Sequence, residues 1–238
     1  MENKWHEIWE KRSAKLAGID RTDYQAVFAE LKRINGFDIT GGGIPLNALI
    51  EQYEDIKKRI NVSRGGTLFE VGCGCGANLY MFQRDGVQVG GIDYSKTLIK
   101  IMQEIMPKEN LKECICDEAI NMPVDIKYDA VLSNSVFSYF SDFSYAERVL
   151  LKILAKANHS IALLDVHDAE KKEAFIAYRK KNTENYEERY KDLPKLFYPR
   201  KFFADFAEKH QLRIEFYPSK VEGYWNNEFI YNVYMYKQ

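Results

Sequence analysis

The chain has 238 residues, 46% hydrophobic and 29% charged, with a formal net charge of −1, which is enough for one sizeable core and at most a small appendage. There is no global basic field to hold a nucleic-acid backbone, and no apolar run approaches the ~20 residues that span a bilayer. The charged, amphipathic opening MENKWHEIWEKR lacks the apolar stretch of a secretory signal, so a cytoplasmic protein with no nucleic-acid or membrane partner is expected.

Residues 2–17 read as a helix with Trp5, Ile8, Trp9 and Leu16 near one face. Thr22 or Asp23 is placed to cap a second helix running to Ile34. The segment NGFDITGGGIP, 35–45, breaks that helix with glycines and reads as a mobile or tightly turned loop. A third helix spans 46–60, with Leu46, Leu49, Ile50, Tyr53, Ile56 and Ile60 at helical spacing.

From Thr67 short apolar runs alternate with helical patterns. TLFEV (67–71) precedes a helix at 77–84, VQVGGID (87–93) a helix at 95–106, and LKECICD (111–117) is followed by KYDAVLSNS (127–135), a helix at 144–156 and HSIALLDV (159–166). This order predicts a parallel sheet wrapped by helices, and right-handed crossovers make it doubly wound. Residues 168–195 are strongly charged with scattered aromatics and read as a solvated helical insertion. FYPRKFFADFAEKHQ (197–211) follows as a helix with Pro199 in its first turn. LRIEFYPSKV and FIYNVYMYKQ read as two strands, and the short EGYWNNE link predicts an antiparallel hairpin. The expectation is α/β in one domain over 1–238: a helical cap (1–45), a ligand-binding core (46–166), a helical insertion (167–200) and a terminal helix and hairpin (201–238).

The four cysteines form two C-x-C pairs, Cys73/Cys75 and Cys114/Cys116. Structural zinc favours wider C-x₂₋₄-C spacing, and buried cysteine is a common small apolar residue, so no metal is expected. Disulfides are not expected in a cytosolic chain.

The stretch LFEVGCGCGANLYMF, 68–82, carries most of the chemistry. Loops after parallel strands face the ligand crevice. Gly72 and Gly74 let the backbone approach a ligand closely, and the following helix opens with free N–H groups. GCGCGA satisfies G-x-G-x-x-[GA], with Asp93 as a ribose acid, and fits a dinucleotide site. Three features pull the other way. Glu70 would repel a pyrophosphate but suits an ammonium group. Asp117 sits at the rim of the same pocket, where it suits an adenine amino group. The Y-x-x-x-K spacing of Tyr53 and Lys57 lies upstream of the loop, where a short-chain dehydrogenase would not have it, and no G-K-[ST] follows the glycines.

Glu70-Val-Gly-Cys-Gly-Cys-Gly76, Gly91-Ile-Asp93-Tyr-Ser95, Cys116-Asp117-Glu118 and Tyr128-Asp-Ala-Val-Leu-Ser-Asn134-Ser resemble the successive motifs of class I S-adenosylmethionine-dependent methyltransferases. The resemblance runs through residues 45–166, and the terminal hairpin suits that family's seven-stranded sheet. It implies S-adenosyl-L-methionine as cofactor. Glu70 would face the methionine ammonium, and Gly72 and Gly74 would pass beneath the methionine and ribose. Asp93 would take the ribose hydroxyls, with Tyr94 beside it in the cofactor site. Asp117 and the backbone of Glu118 would read the adenine, and Asn134 and Ser135 would lie near the sulfonium.

Methyl transfer from a sulfonium needs alignment and exclusion of water, and an alcohol acceptor benefits from a base. The enzymes that methylate adenine amino groups resemble N-P-P-Y after the fourth strand, whereas Asn134-Ser-Val-Phe137 stands here, which disfavours that activity. Asp165, His167 and Asp168 lack the acid spacing of metal-dependent catechol-type enzymes. His167, after the fifth strand, is the candidate base. His6 lies on the N-terminal helix that in this family often closes over the cofactor, and His159 and His210 read as structural or solvated. Acceptor recognition is expected from residues 1–45, 168–200 and 222–228. Gly41–Gly43 would let their segment pass the methionine end. Trp5, Trp9, Tyr24, Tyr139, Tyr198, Tyr224 and Trp225 are the aromatics on those elements or beside the crevice. Arg179, Arg189 and Arg200 would suit an anionic acceptor. The WHEIWEKR, FD…GGG and YPRKFF segments resemble small-molecule methyltransferases of bacterial biosynthetic clusters. That implies O-methylation of a small molecule, with capsule or surface-polysaccharide modification as one setting; N-methylation and an NAD-linked reductase are the alternatives.

Overall fold

A computed structural model of the chain describes residues 4–15, 18–37 and 43–238. Leu16, Gly41 and Gly42, which figure in the expectations above, lie outside the described residues. Among those described, β1 (Thr67–Val71), β2 (Gln88–Asp93), β3 (Leu111–Cys116), β4 (Tyr128–Asn134), β5 (Ala157–His167), β6 (Arg213–Pro218) and β7 (Ile230–Tyr236) form one sheet in the order β3-β2-β1-β4-β5-β7-β6. The first five strands are mutually parallel. β7 runs antiparallel to both neighbours, β5 and β6, so the expected hairpin is present with its second strand inserted and its first at the sheet edge. The strand order reverses between β1 and β4, and the crevice beyond their carboxyl ends is where such folds bind ligands.

Both faces of the sheet are covered. Leu68 of β1 joins one core with α2 (Tyr24–Ile34), α3 (Leu46–Ile60), α4 (Ala77–Arg84) and α5 (Lys96–Ile105). Phe69 and Val71 join the other, with α6 (Phe143–Lys156) and α9 (Arg200–Lys209). Strand alternation therefore turns Glu70 to the α2–α4 face. Side chains set the helix starts: Asp23 accepts from the amides of Gln25 and Ala26 at 3.0 and 3.2 Å, and Ser95 from that of Leu98 at 3.2 Å.

Three expectations change. The first helix, α1 (Lys4–Glu10), is shorter than the apolar spacing predicts; its last residue, Glu10, turns to the start of α5 and accepts from Lys96 N at 2.6 Å and Thr97 Oγ1 at 2.8 Å. Pro199 stands one residue before α9, at its N-cap. The charged insertion is not merely solvated: α7 (Lys172–Asn182) and α8 (Tyr186–Tyr190) lie against the crevice, with Phe175 buried and Arg179 and Tyr190 facing a cavity.

Candidate cofactor and acceptor site

A cavity of about 1210 Å³ opens at the carboxyl ends of β1, β2, β4 and β5. That exceeds the roughly 300–1,000 Å³ of a site for one small ligand, and its walls divide into a polar side at the glycine loop and an aromatic, cationic side beneath α7 and α8.

The loop after β1 spends its own amides inside the protein. Gly72 and Cys73 donate to the Ile92 carbonyl at 2.8 and 3.1 Å, and Gly76 donates to that of Cys73 at 2.9 Å. Gly74 N donates to Asp93 Oδ2 at 2.9 Å, and Cys75 N to Asn35 Oδ1 at 3.0 Å. Gly72 and Gly74 hold φ of 69° and 54°, and a Cβ on either would overlap Val136 or Asn35 respectively. Glycine is required there to let the loop pack against protein as well as against a ligand.

Glu70 is 2% exposed. Its Oε1 accepts from Asn78 Nδ2 at 2.6 Å, and Asn78 Oδ1 accepts from Lys32 Nζ at 2.8 Å. Glu70 Oε2 is buried without a partner. Burial pushes the Glu70 carboxyl up, and burial likewise pulls the Lys32 ammonium down. Lys32, Asn78 and Asn35 all line the cavity and were not among the sequence candidates. The signal for the first was its place beside Phe28, Leu31 and Asn35 on one helix face.

Asp93 receives the amides of Gly74 and, at 2.8 Å, Ser95; burial nevertheless raises its carboxyl to about 6. Tyr94 beside it stacks on His6 with ring centroids 3.9 Å apart, and His6 Nε2 lies 2.8 Å from Glu118 Oε1. Asp117 is exposed at the rim. Its Oδ1 accepts from Glu118 N at 2.7 Å and Asn121 Nδ2 at 2.8 Å, so the Glu118 amide is turned onto Asp117. Asn134 and Ser135 line the cavity at the end of β4, and Ser135 donates to Asp165 at 2.6 Å.

His167 ends β5 on the cavity wall, 3% exposed, between Phe175 and Phe197 with ring centroids 5.0 and 5.1 Å away. One ring nitrogen, Nε2, lies 3.3 Å from Asn226 Nδ2, and the other, Nδ1, has no partner. Burial first, then the charges of Lys195 and Arg179, hold its pKa well below the usual value, so the imidazole is neutral. Trp5, Trp9, Tyr139, Tyr224 and Trp225 line the cavity. Tyr24 instead lies under Arg84, 3.6 Å from its guanidinium, and Tyr198 is a core residue donating to the Phe137 carbonyl at 2.8 Å. Arg179 and Arg189 line the cavity, whereas Arg200 stands outside it, 3.6 Å from Asp168 and over Tyr231. Asp168 caps the turn before α7 by accepting from Glu170 N at 3.0 Å, so it does not converge with Asp165.

The thiols of Cys73 and Cys75 are buried, the first 3.9 Å from Met102 Sδ and the second 3.3 Å from the Leu31 carbonyl. Among the described residues no group of three or more His, Cys, Asp or Glu side chains is placed to hold a metal ion, and no helix is long and apolar enough to cross a membrane.

Residues 69–162 match the family described as "methyltransferase domain". No curated protein sequence matches the chain. Among solved structures, magnesium protoporphyrin IX methyltransferase from Synechocystis, with bound SAM, is 12% identical with a TM-score of 0.59, covering 93% of this chain and 99% of that one. Geranyl diphosphate C-methyltransferase from Streptomyces coelicolor, with S-adenosyl-L-homocysteine, is 13% identical with a TM-score of 0.60, covering 98% of this chain and 96% of that one. CalS10 from Micromonospora echinaspora, an amino pentose methyltransferase, is 10% identical with a TM-score of 0.59 over 79% of this chain and 91% of that one. Such identities speak for the fold, and the sequence match speaks for the domain within it. Residues 69–162 are thus similar in sequence to a methyltransferase domain, and the fold around them is one that these solved methyltransferases share.

Proposed function

We propose that the protein transfers the methyl group of S-adenosyl-L-methionine to an oxygen atom of a small-molecule acceptor in a biosynthetic pathway. One observation carries the choice of cofactor. Every amide from Gly72 to Gly76 already has a protein acceptor, so the loop offers no nest for a pyrophosphate, while Glu70 keeps a buried carboxylate oxygen without a partner. A cationic ammonium meets that need, and a dinucleotide does not.

In this reading Glu70 receives the methionine ammonium and Lys32 faces the methionine carboxylate. Asp93 receives the ribose hydroxyls with its remaining lone pairs, beside Tyr94, and Asp117, oriented by the Glu118 amide that its Oδ1 accepts, reads the adenine with its other oxygen. Gly72 and Gly74 form the floor, and Asn134 and Ser135 border the sulfonium. The bound cofactor supplies an electrophilic methyl carbon. With the Asn226 amide turned so that its oxygen accepts from Nε2–H, His167 takes the acceptor's hydroxyl proton on Nδ1 as the new C–O bond forms, and the C–S bonding pair leaves with sulfur. The aromatic wall keeps water from the reacting atoms. The acceptors named for similar structures, a porphyrin, an amino pentose and geranyl diphosphate, support a small molecule. Cations on the acceptor side favour a negatively charged one. The free thiols suit a cytoplasmic setting.

Calorimetry of S-adenosylhomocysteine and NADH on wild type and Asp93→Ala tests this. The expected result is affinity in the micromolar range for S-adenosylhomocysteine, weakened about tenfold or more by Asp93→Ala. Tighter binding of NADH would overturn the reading.

A further inference from the structure

The acceptor side holds two basic side chains that, among the described residues, form no ion pair. Lys195 sits in the segment after α8, half-buried, with its ammonium 4.3 Å from the Tyr139 ring centroid and 5.3 Å from that of Trp5. Arg179, on α7, donates to the Tyr190 hydroxyl at 2.5 Å and stands 5.1 Å from the Trp225 ring. Both line the cavity. Glu187, an acid of the same wall, is held by Lys180 at 2.6 Å, and Asp165, whose Oδ2 takes the Ser135 and Tyr224 hydroxyls and whose Oδ1 is buried without a partner, pulls on Lys195 without forming an ion pair with it. Two basic groups facing one aromatic-walled space have no ion-paired anion there, and holding both charged without one is costly.

We propose that Lys195 and Arg179 form an anion cradle that holds the carboxylate or phosphate group of the methyl acceptor, with the acceptor's flat apolar body between Tyr139, Trp5 and Trp225. As a statement about the acceptor, the proposal rests on the methyltransferase reading above. Aromatic faces suit a flat body, and the guanidinium offers a fork of donors that a carboxylate or phosphate fills. The cradle also reaches the chemistry. Lys195 and Arg179 are the charges that, after burial, keep His167 unprotonated. An anion between them offsets that field and makes the imidazole a better proton acceptor once the acceptor is in place.

The test is calorimetric binding of benzoate, phenyl phosphate, benzamide and inorganic phosphate to the full chain, with and without S-adenosylhomocysteine. Benzoate or phenyl phosphate is expected to bind about tenfold or more tighter than benzamide, and the tighter of the two acids identifies the group. Lys195→Met and Arg179→Met should each weaken acid binding about tenfold, with Lys195→Arg within about threefold of wild type. S-adenosylhomocysteine affinity should stay within about twofold in all three. A proton readout separates this role from a structural one. Burial and then Arg179 lower the Lys195 ammonium to about 7, against the opposing pull of Asp165, with His167 neutral and Tyr139 against it. Acid binding at pH 8 should therefore take up protons in wild type and not in Lys195→Arg. Equal binding of benzamide and the acids, no binding of either acid, or unchanged acid affinity in Lys195→Met would overturn the proposal. Inorganic phosphate matching phenyl phosphate would remove the flat body from it. Failure of S-adenosylhomocysteine to bind while the acids still depend on Lys195 would strike the methyltransferase reading alone.

Discussion

Ser135 Oγ donates to Asp165 Oδ2 across 2.6 Å, and both residues hold a left-handed backbone, with φ of 60° and 55°. They stand at the ends of adjacent parallel strands, where Ser135 N also donates to the Leu164 carbonyl and Asp165 N to Asn232 Oδ1. Left-handed geometry in a residue with a Cβ costs roughly 1–3 kcal/mol and persists where surrounding bonds enforce it. Asp165→Ala, which strands the Ser135 and Tyr224 hydroxyls, should lower unfolding free energy by about 2–4 kcal/mol in urea titrations. Asp165→Asn, which tolerates the same backbone, should cost less than about 1 kcal/mol. Equal damage from both would show that the negative charge itself, opposite Lys32 and Lys195, is required.

Gly72→Ala would place a methyl group on Val136 at a φ of 69°. A loss of about 2–4 kcal/mol is expected. Adding Val136→Ala should recover the steric part and leave about 1–2 kcal/mol of backbone strain. Full recovery in the double variant would mean that the backbone conformation carries no penalty.

Binding of S-adenosylhomocysteine should weaken in acid. In the proposed reading Asp93 receives the ribose hydroxyls as a carboxylate, and burial raises its carboxyl to about 6. Affinity should then fall about tenfold per pH unit below about 6, and Asp93→Asn should flatten that dependence. The sign for the unliganded protein is opposite. A raised carboxyl binds its proton more tightly folded than unfolded, so its contribution to stability is present below about pH 4 and is lost as pH rises through about 6. Denaturant titrations at pH 4.5 and 7 on wild type and Asp93→Asn check it.

Asn78 bridges two buried charges, receiving from Lys32 and donating to Glu70. Asn78→Ala should cost about 2–4 kcal/mol, because both ions lose their bridge in a dry setting. Glu70→Gln should leave stability within about 1 kcal/mol yet weaken S-adenosylhomocysteine about tenfold or more, since the amide cannot pair with an ammonium. Calorimetry and thermal melts separate the two effects.

Much of the sheet was legible because β1 to β5 are short apolar runs separated by helical periodicity, and period and strand length both survive in sequence. The cavity edge was legible for the same reason: Glu70, Asp93 and Asp117 lie at or near the ends of such runs, and all three line the cavity. What escaped was chemistry set by distant packing. Lys195 follows a proline in an aperiodic segment and reads as a surface charge; its neighbours Tyr139 and Arg179 come from separate elements. Asn35 and Asn78 gain their roles only when α2 and α4 meet the glycine loop. The short α1 reflects a tertiary bond, Glu10 to α5, that no local pattern records.

β7 lies between β5 and β6, although it follows both in the chain. On the ribosome, five parallel strands and the cofactor edge can assemble while β6 still has no neighbour. Tyr224 and Asn226, which reach Asp165 and His167, lie in the segment just before β7. The part of the cavity wall that carries Tyr224 and Asn226 is thus the last to be built, after the opposite edge with Glu70, Asp93 and Asn134.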